Sequence, residues 1–167
     1  MENRITNKTS LNAKKVLVAN LLKNKFITIM YIILALVFLA MSVYEAHSDV
    51  VGMKSQIVLH ASFFFISIFF AFAIPMYRCH IWKRDAKRNY GSSTIDVEYQ
   101  FTDINFKLMY KGETIDKFEY RNIYNVIQRK NLMVIVGSNK LFIIDIDGFK
   151  KDTEFARIQG YIKRFTK

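Results

Sequence analysis

The chain has 167 residues, 51% of them apolar and 23% charged, with a formal net charge of +11 and one cysteine. That length suits one small domain with an appendage and excludes multidomain machinery, while a single cysteine excludes an internal disulfide framework. The apolar fraction is close to a soluble average, so only its distribution along the chain separates a membrane protein from a soluble one.

Residues 1–25 are basic, with Arg4, Lys8, Lys14, Lys15, Lys23 and Lys25. From Ser10, a candidate N-cap, the pattern to residue 25 predicts a helix whose stripe contains Leu11, Val18 and Leu22 with Leu21 beside it. Lys14, Lys15 and Lys25 border that stripe. Two readings follow: a helix lying in the membrane interface with its lysines snorkelling to water, or a cytosolic extension of the next segment.

Residues 26–44 and 55–77 contain no charged side chain. At about 1.5 Å per residue each run reaches roughly the 30 Å of a hydrocarbon core, so spans are expected at 26–44 and 57–77. The connection at 45–56 holds Lys54 opposed by Glu45 and Asp49. Lysine and arginine lie on the far sides of both runs, the second being followed by Arg78, Lys83, Arg84, Lys87 and Arg88. By the positive-inside rule both termini face the cytoplasm, and Tyr44, Tyr77 and Trp82 fall near the water interfaces.

The first 90 residues carry twelve Lys+Arg against four Asp+Glu, and the remainder thirteen against ten. The basic excess therefore flanks the spans. Lys14, Lys15, Lys23, Lys25, Arg78, Lys83, Arg84, Lys87 and Arg88 are read as a membrane-surface set that attracts anionic lipid headgroups, and a nucleic-acid partner is not expected. Within the second span, His60 is an ionisable group and Pro75 a potential kink that would re-aim a basic linker at 78–92. Phe63, Phe64, Phe65, Phe69, Phe70 and Phe72 give the same span an aromatic surface suited to a protein partner or to lipid.

From residue 93 the period changes to two. Ile95, Val97, Tyr99 and Phe101 alternate with Asp96, Glu98 and Gln100, as in a strand with one buried face. Ile104, Phe106, Leu108 and Tyr110 repeat the pattern after the Thr102-Asp103 turn, and Lys111-Gly112 supplies the next turn. Further strands are expected at 114–120, 123–128, 132–136 and 141–146, the last two nearly continuous in apolar residues and so central. A C-terminal helix follows, with Asp152 as N-cap and Phe155, Ile158, Ile162 and Phe165 on one face. Six or seven antiparallel strands closed by one amphipathic helix is the order of a pleckstrin-homology-like barrel, expected over residues 93–167.

Two spans, a basic stretch and this strand order resemble the YcxB-like membrane proteins of bacteria. The residues that carry the resemblance are Phe118-Glu119-Tyr120-Arg121-Asn122-Ile123, Val126-Ile127, Leu132 to Val136, Ile143-Ile144 and Gly148-Phe149. The resemblance implies a small integral protein of a bacterial cell membrane with a pleckstrin-homology-like soluble part. It implies no reaction.

Catalytic motifs are absent, including a Walker loop, GxSxG, HExxH and GxGxxG, so neither enzyme activity nor a cofactor is expected. His47, His60 and His80 form no metal-ligand spacing, and Asp145 and Asp147 lack the ligand series of a calcium loop. Cys79 is a candidate for acylation or a plain interfacial thiol. A phosphoinositide site needs several cations around the loop joining the first two strands, and in the loop at Thr102-Asp103 only Lys107 is near in sequence. The expected role is tethering of an interaction domain to the inner face of the membrane, with bacteriocin immunity as one version. An envelope-stress or signalling component and a transporter accessory protein are the alternatives.

Overall fold

The computed structural model describes residues 4–47 and 54–166, so the middle of the expected outer connection at 45–56 lies outside the described residues. Two compact units are present: Asn20–His80, and a second that joins the chain up to Ala19 with everything from Ile81 onward. The elements in chain order are β1 (Ile5–Asn12), α1 (Ala13–Lys23), α2 (Lys25–His47), α3 (Lys54–Tyr90), β2 (Thr94–Phe101), β3 (Asn105–Tyr110), β4 (Glu113–Glu119), β5 (Ile123–Arg129), β6 (Leu132–Gly137), β7 (Leu141–Asp145) and α4 (Asp152–Lys163).

The N-terminal segment differs from the helix expected from Ser10. Residues 5–12 are a strand, and the helix starts at Ala13, capped by Asn12, whose Oδ1 accepts the Lys15 N–H (3.0 Å). β1 pairs antiparallel with β2 along its whole length, from Ile5 opposite Phe101 to Asn12 opposite Thr94. Its inward positions include Asn7 and Thr9, both buried, so its period-two signal is polar where a strand pattern is normally apolar.

That buried polarity is matched by hydrogen bonds. Asn7 Nδ2 donates to the Asp145 carbonyl (2.7 Å), Thr9 Oγ1 donates to Asn7 Oδ1 (2.7 Å), and Thr9 Oγ1 accepts the Asp145 N–H (2.9 Å). Gly148 is required beside them: a Cβ there would lie 2.1 Å from the Lys8 carbonyl oxygen. β1 thus belongs to the unit that carries the sheets, not to the helical unit Asn20–His80.

The strands form a four-stranded sheet ordered β1-β2-β3-β4 and a three-stranded sheet ordered β5-β6-β7. No single closed barrel results. β1 meets β7 of the second sheet through side-chain bonds and the segment after it through an isolated bridge, Asn7 to Phe149, and a 3-10 turn at Tyr120–Asn122 separates β4 from β5. β6 is central as expected, whereas β7 ends its sheet next to β1. The turn at Lys111-Gly112 has positive φ at both residues (50° and 86°), the geometry that suits a tight hairpin.

Tyr99, Phe101, Phe106, Tyr120, Met133, Ile135, Ile144 and Ile158 fill the core. Burial raises the phenol pKa of Tyr99 and of Tyr120, so both stay neutral, and Tyr120 Oη donates to the Thr102 carbonyl (2.8 Å). In α4 the first helical residue is Asp152 and the N-cap position is Lys151, so Asp152 is not the cap. Instead Glu154 Oε2 reaches back to accept the Lys150 N–H (3.1 Å), and both carboxylates sit in the first turn, where the helix dipole favours them.

The basic stretch at 78–92 is helical to Tyr90 as the continuation of α3, through a buried Pro75. Trp82, Ala86 and Tyr90 recur every four residues and pack on the core, with the Tyr90 ring edge-on to Tyr110 at 4.7 Å. Lys83, Arg84, Lys87 and Arg88 are exposed.

Replacing Asn7 by alanine leaves the Asp145 carbonyl without its buried donor and Thr9 without its acceptor, at a cost of about 2 kcal/mol or more. The expected outcome is a midpoint lowered by roughly 5–10 °C in thermal unfolding of the full chain in detergent, read from the emission of Trp82, the single tryptophan.

Candidate functional site

α2 and the first part of α3 are long and apolar enough to cross a membrane, and most of their side chains are exposed. All but four of the exposed large apolar side chains described lie between Phe26 and Tyr77. Such a surface needs an apolar solvent or an apolar partner. Where the two helices meet, the side chains are small: Ala35, Ser42, Ser67 and Ala71 are buried. Small residues let helix backbones approach closely, the usual basis of packing between helices in lipid. Thr28 Oγ1 reaches the Ala71 carbonyl (3.4 Å), and Tyr31 stacks on Phe70 at 6.0 Å.

Near the connected end of this hairpin the packing encloses a carboxylate–imidazole pair. Glu45 stands in the last turns of α2, and His60 stands on α3. His60 Nδ1 lies 2.8 Å from Glu45 Oε1 and 2.9 Å from Oε2, with only 12% and 7% of the two side chains exposed. Phe38 covers the pair, stacking on His60 at 6.1 Å and leaning on Phe63 at 5.2 Å. One turn before Glu45, Ser42 Oγ donates to the Phe38 carbonyl (3.0 Å), which satisfies its own buried hydroxyl. An apolar groove of about 500 Å³ opens beside Glu45 and is lined by Val37, Ala40, Met41, Tyr44 and Gln56.

The sequence singled out His60 and left Glu45 in the outer connection. α2 runs to His47, past the expected end of the span at residue 44, and that extra turn carries Glu45 into helix-helix contact. The readable signal is a carboxylate immediately after the first apolar run and an imidazole about one turn inside the facing end of the second. A buried carboxylate in such a place calls for a partner, and an antiparallel hairpin brings the two ends together. The arrangement can hold the two helices in register.

The basic residues separate into groups. Lys14, Lys25, Arg78, Lys83, Arg84, Lys87 and Arg88 are exposed and Lys23 is half-buried; Arg84 lies 3.6 Å from Asp85. Lys15 is ion-paired with Asp145 while its Nζ also donates to the Ser10 carbonyl (2.7 Å), so it ties α1 to β7. Asp147 accepts from Asn131 Nδ2 (2.6 Å). Asp145 and Asp147 share an open cleft of about 1050 Å³ with Lys8, Lys15, Lys111, Asp96 and Glu98, so its lining holds both signs of charge. His47 Nδ1 contacts the Val43 carbonyl, His80 is exposed, and Cys79 is half-buried on α3. Compared with protein-family models, curated proteins and solved structures, the chain matches none.

Interhelical hydrogen bonds within membranes average well under 1 kcal/mol and reach about 1.7 kcal/mol, and a buried carboxylate–imidazole pair belongs at the upper end. A double-mutant cycle on Glu45→Ala and His60→Ala, measured by reversible unfolding in mixed micelles, is expected to give a coupling of about 1–2 kcal/mol. Glu45→Gln, which can still bond the imidazole, is expected to fall between wild type and Glu45→Ala.

Proposed function

We propose that the chain is an integral membrane protein that tethers a pleckstrin-homology-like, YcxB-like interaction domain to the inner face of a bacterial cytoplasmic membrane. The observation that carries this reading is the pairing of β1 with β2 across everything between Asn12 and Thr94. The strand that enters the hairpin and the strand that leaves it are neighbours in one sheet. Both ends of the intervening chain therefore lie on one side of any membrane it enters, which supports a pair of spans over a single one.

Four plus three antiparallel strands followed by one C-terminal helix support the pleckstrin-homology-like reading. In that reading the hairpin occupies the connection between the first and second strands. The domain is then held at two points rather than hung from one linker. Lysine and arginine on the flanks of both spans support the cytoplasmic side, and the exposed cationic face of α3 supports attraction to anionic headgroups. The role is recruitment or blocking of a protein partner, with bacteriocin immunity as one form of blocking. The buried Glu45–His60 pair favours a second reading, a signalling component in which the hairpin responds to the state of the membrane.

The orientation is tested with an impermeant thiol reagent on intact bacterial cells. Cys79, and single cysteines placed at Lys8 and at Lys130 in a Cys79→Ser background, are expected to stay unlabelled until the membrane is permeabilised. Labelling of either engineered cysteine in intact cells would overturn the orientation, and unequal labelling of the two would overturn the pair of spans.

A further inference from the structure

We propose that the helical unit carries a binding site for one apolar organic cation, in the groove along α2 that ends at Glu45. The groove has a volume of about 500 Å³ and is lined by Val37, Ala40, Met41, Tyr44, Glu45 and Gln56. Pockets for small ligands run from roughly 300 to 1,000 Å³ and combine an apolar wall with a few polar groups that fix orientation. Glu45 is the one charged side chain among the described residues that line this one.

Helical spacing makes the groove. Residues 37, 40, 41, 44 and 45 recur at intervals of three and four along α2, so they form one stripe about two turns long. In the middle stands Ala40, whose single methyl leaves a hollow among the larger Val37, Met41 and Tyr44, all three exposed. Gln56, in the first turn of α3, flanks the connected end beside Glu45. The polar groups thus gather at one end of an otherwise apolar stripe.

Glu45 decides the charge of the occupant. Its side chain is only 7% exposed, and among the described hydrogen bonds its one partner is His60 Nδ1. A carboxylate offers about four acceptor positions, and a single imidazole N–H leaves most of them open. When the imidazole is neutral, the pair carries one net negative charge, which is costly to enclose among apolar side chains. No lysine or arginine pairs with Glu45 among the described ion pairs. A cation in the groove would supply the missing charge, whereas an anion of the same size would be repelled. Tyr44 and Met41 suit a cation as well, the ring through its negative face and the thioether through its polarizability.

The apolar wall decides the rest. A metal ion needs several ligating groups, and the described residues contain no group of three or more His, Cys, Asp or Glu that could hold one. A strongly hydrated amine would lose its water against Val37, Ala40 and Met41 without replacement. The occupant therefore carries its charge within apolar substituents, as quaternary ammonium and phosphonium ions do. The groove lies wholly within the unit Asn20–His80, so the site depends neither on the sheets nor on which side of a membrane the termini face.

The test uses the full chain in micelles of an uncharged maltoside detergent, with equilibrium dialysis of tetraphenylphosphonium and protein-free micelles as the blank. Tetraphenylborate, of similar size and shape but opposite charge, is measured in parallel. Wild type is expected to bind the phosphonium saturably, at about one per chain, and to bind no borate above the blank. In Glu45→Gln, which keeps an acceptor for the imidazole, the affinity is expected to fall about tenfold or more, the equivalent of losing one charge-assisted contact. Ala40→Leu fills the hollow at an exposed position without altering Glu45 or His60, and is expected to abolish binding. Glu113→Gln, which removes the same charge from an exposed site on β4, is expected to bind as wild type does. Thermal unfolding read from Trp82 emission shows which variants fold; should Glu45→Gln fail to, Ala40→Leu and the borate comparison decide. Saturable binding that is selective for the phosphonium and lost in the folded variants at Glu45 and Ala40 supports the site. No saturable binding above the blank, equal affinity in wild type and either of those variants, or borate bound as tightly as phosphonium would overturn it.

Discussion

The antiparallel ladder between β1 and β2 is the contact on which the architecture rests. It closes over residues 13–93, and without it β2 would be an unpaired edge whose inner side chains, Tyr99 and Phe101, lie at the centre of the core. Closing a long loop costs only slowly more as the loop lengthens, and an inserted segment that folds on itself with its ends together costs less still. The Asn7–Thr9–Asp145 bonds and the bare Gly148 then fix β1 against the second sheet. One strand of eight residues thereby joins two sheets and both ends of the hairpin.

The two units handle buried polarity differently. In the unit that carries the sheets the inward polar groups of β1 are neutral side chains matched to main-chain groups, the least costly way to bury polarity. In the helical hairpin the enclosed pair is Glu45 with His60, two ionisable side chains that hydrogen-bond each other. The first arrangement specifies a register. The second specifies which faces of two nearly uniform apolar helices meet, a choice that apolarity alone leaves open because lipid and helix surfaces are alike.

The surplus of lysine and arginine is likewise not one property. Lys15 is an internal strut to Asp145, Lys140 is occupied by Asp116, and Lys83, Arg84, Lys87 and Arg88 form the exposed face of a helix whose other face is core. Lys107 and Lys117 are opposed across two strands without a carboxylate between them. A net charge of +11 thus contains structural cations, a cationic helix face and a pair of lysines opposed across two strands.

The sequence by itself determined the two apolar helices, the strands from Ile95 onward and the amphipathic C-terminal helix, because each is encoded in a local period: a long uncharged run, alternation, or a three-to-four residue stripe. It also marked His60. Local periodicity failed for β1, whose inward positions are Asn and Thr, and for the continuation of α3, where a cluster of cations concealed the Trp82–Ala86–Tyr90 stripe. Only the tertiary structure decided that β1 lies beside β2, that two open sheets form in place of a barrel, and that Glu45 meets His60. Each of these joins residues far apart in the chain, and their complementarity in charge and hydrogen bonding exists only after the backbone has brought them together.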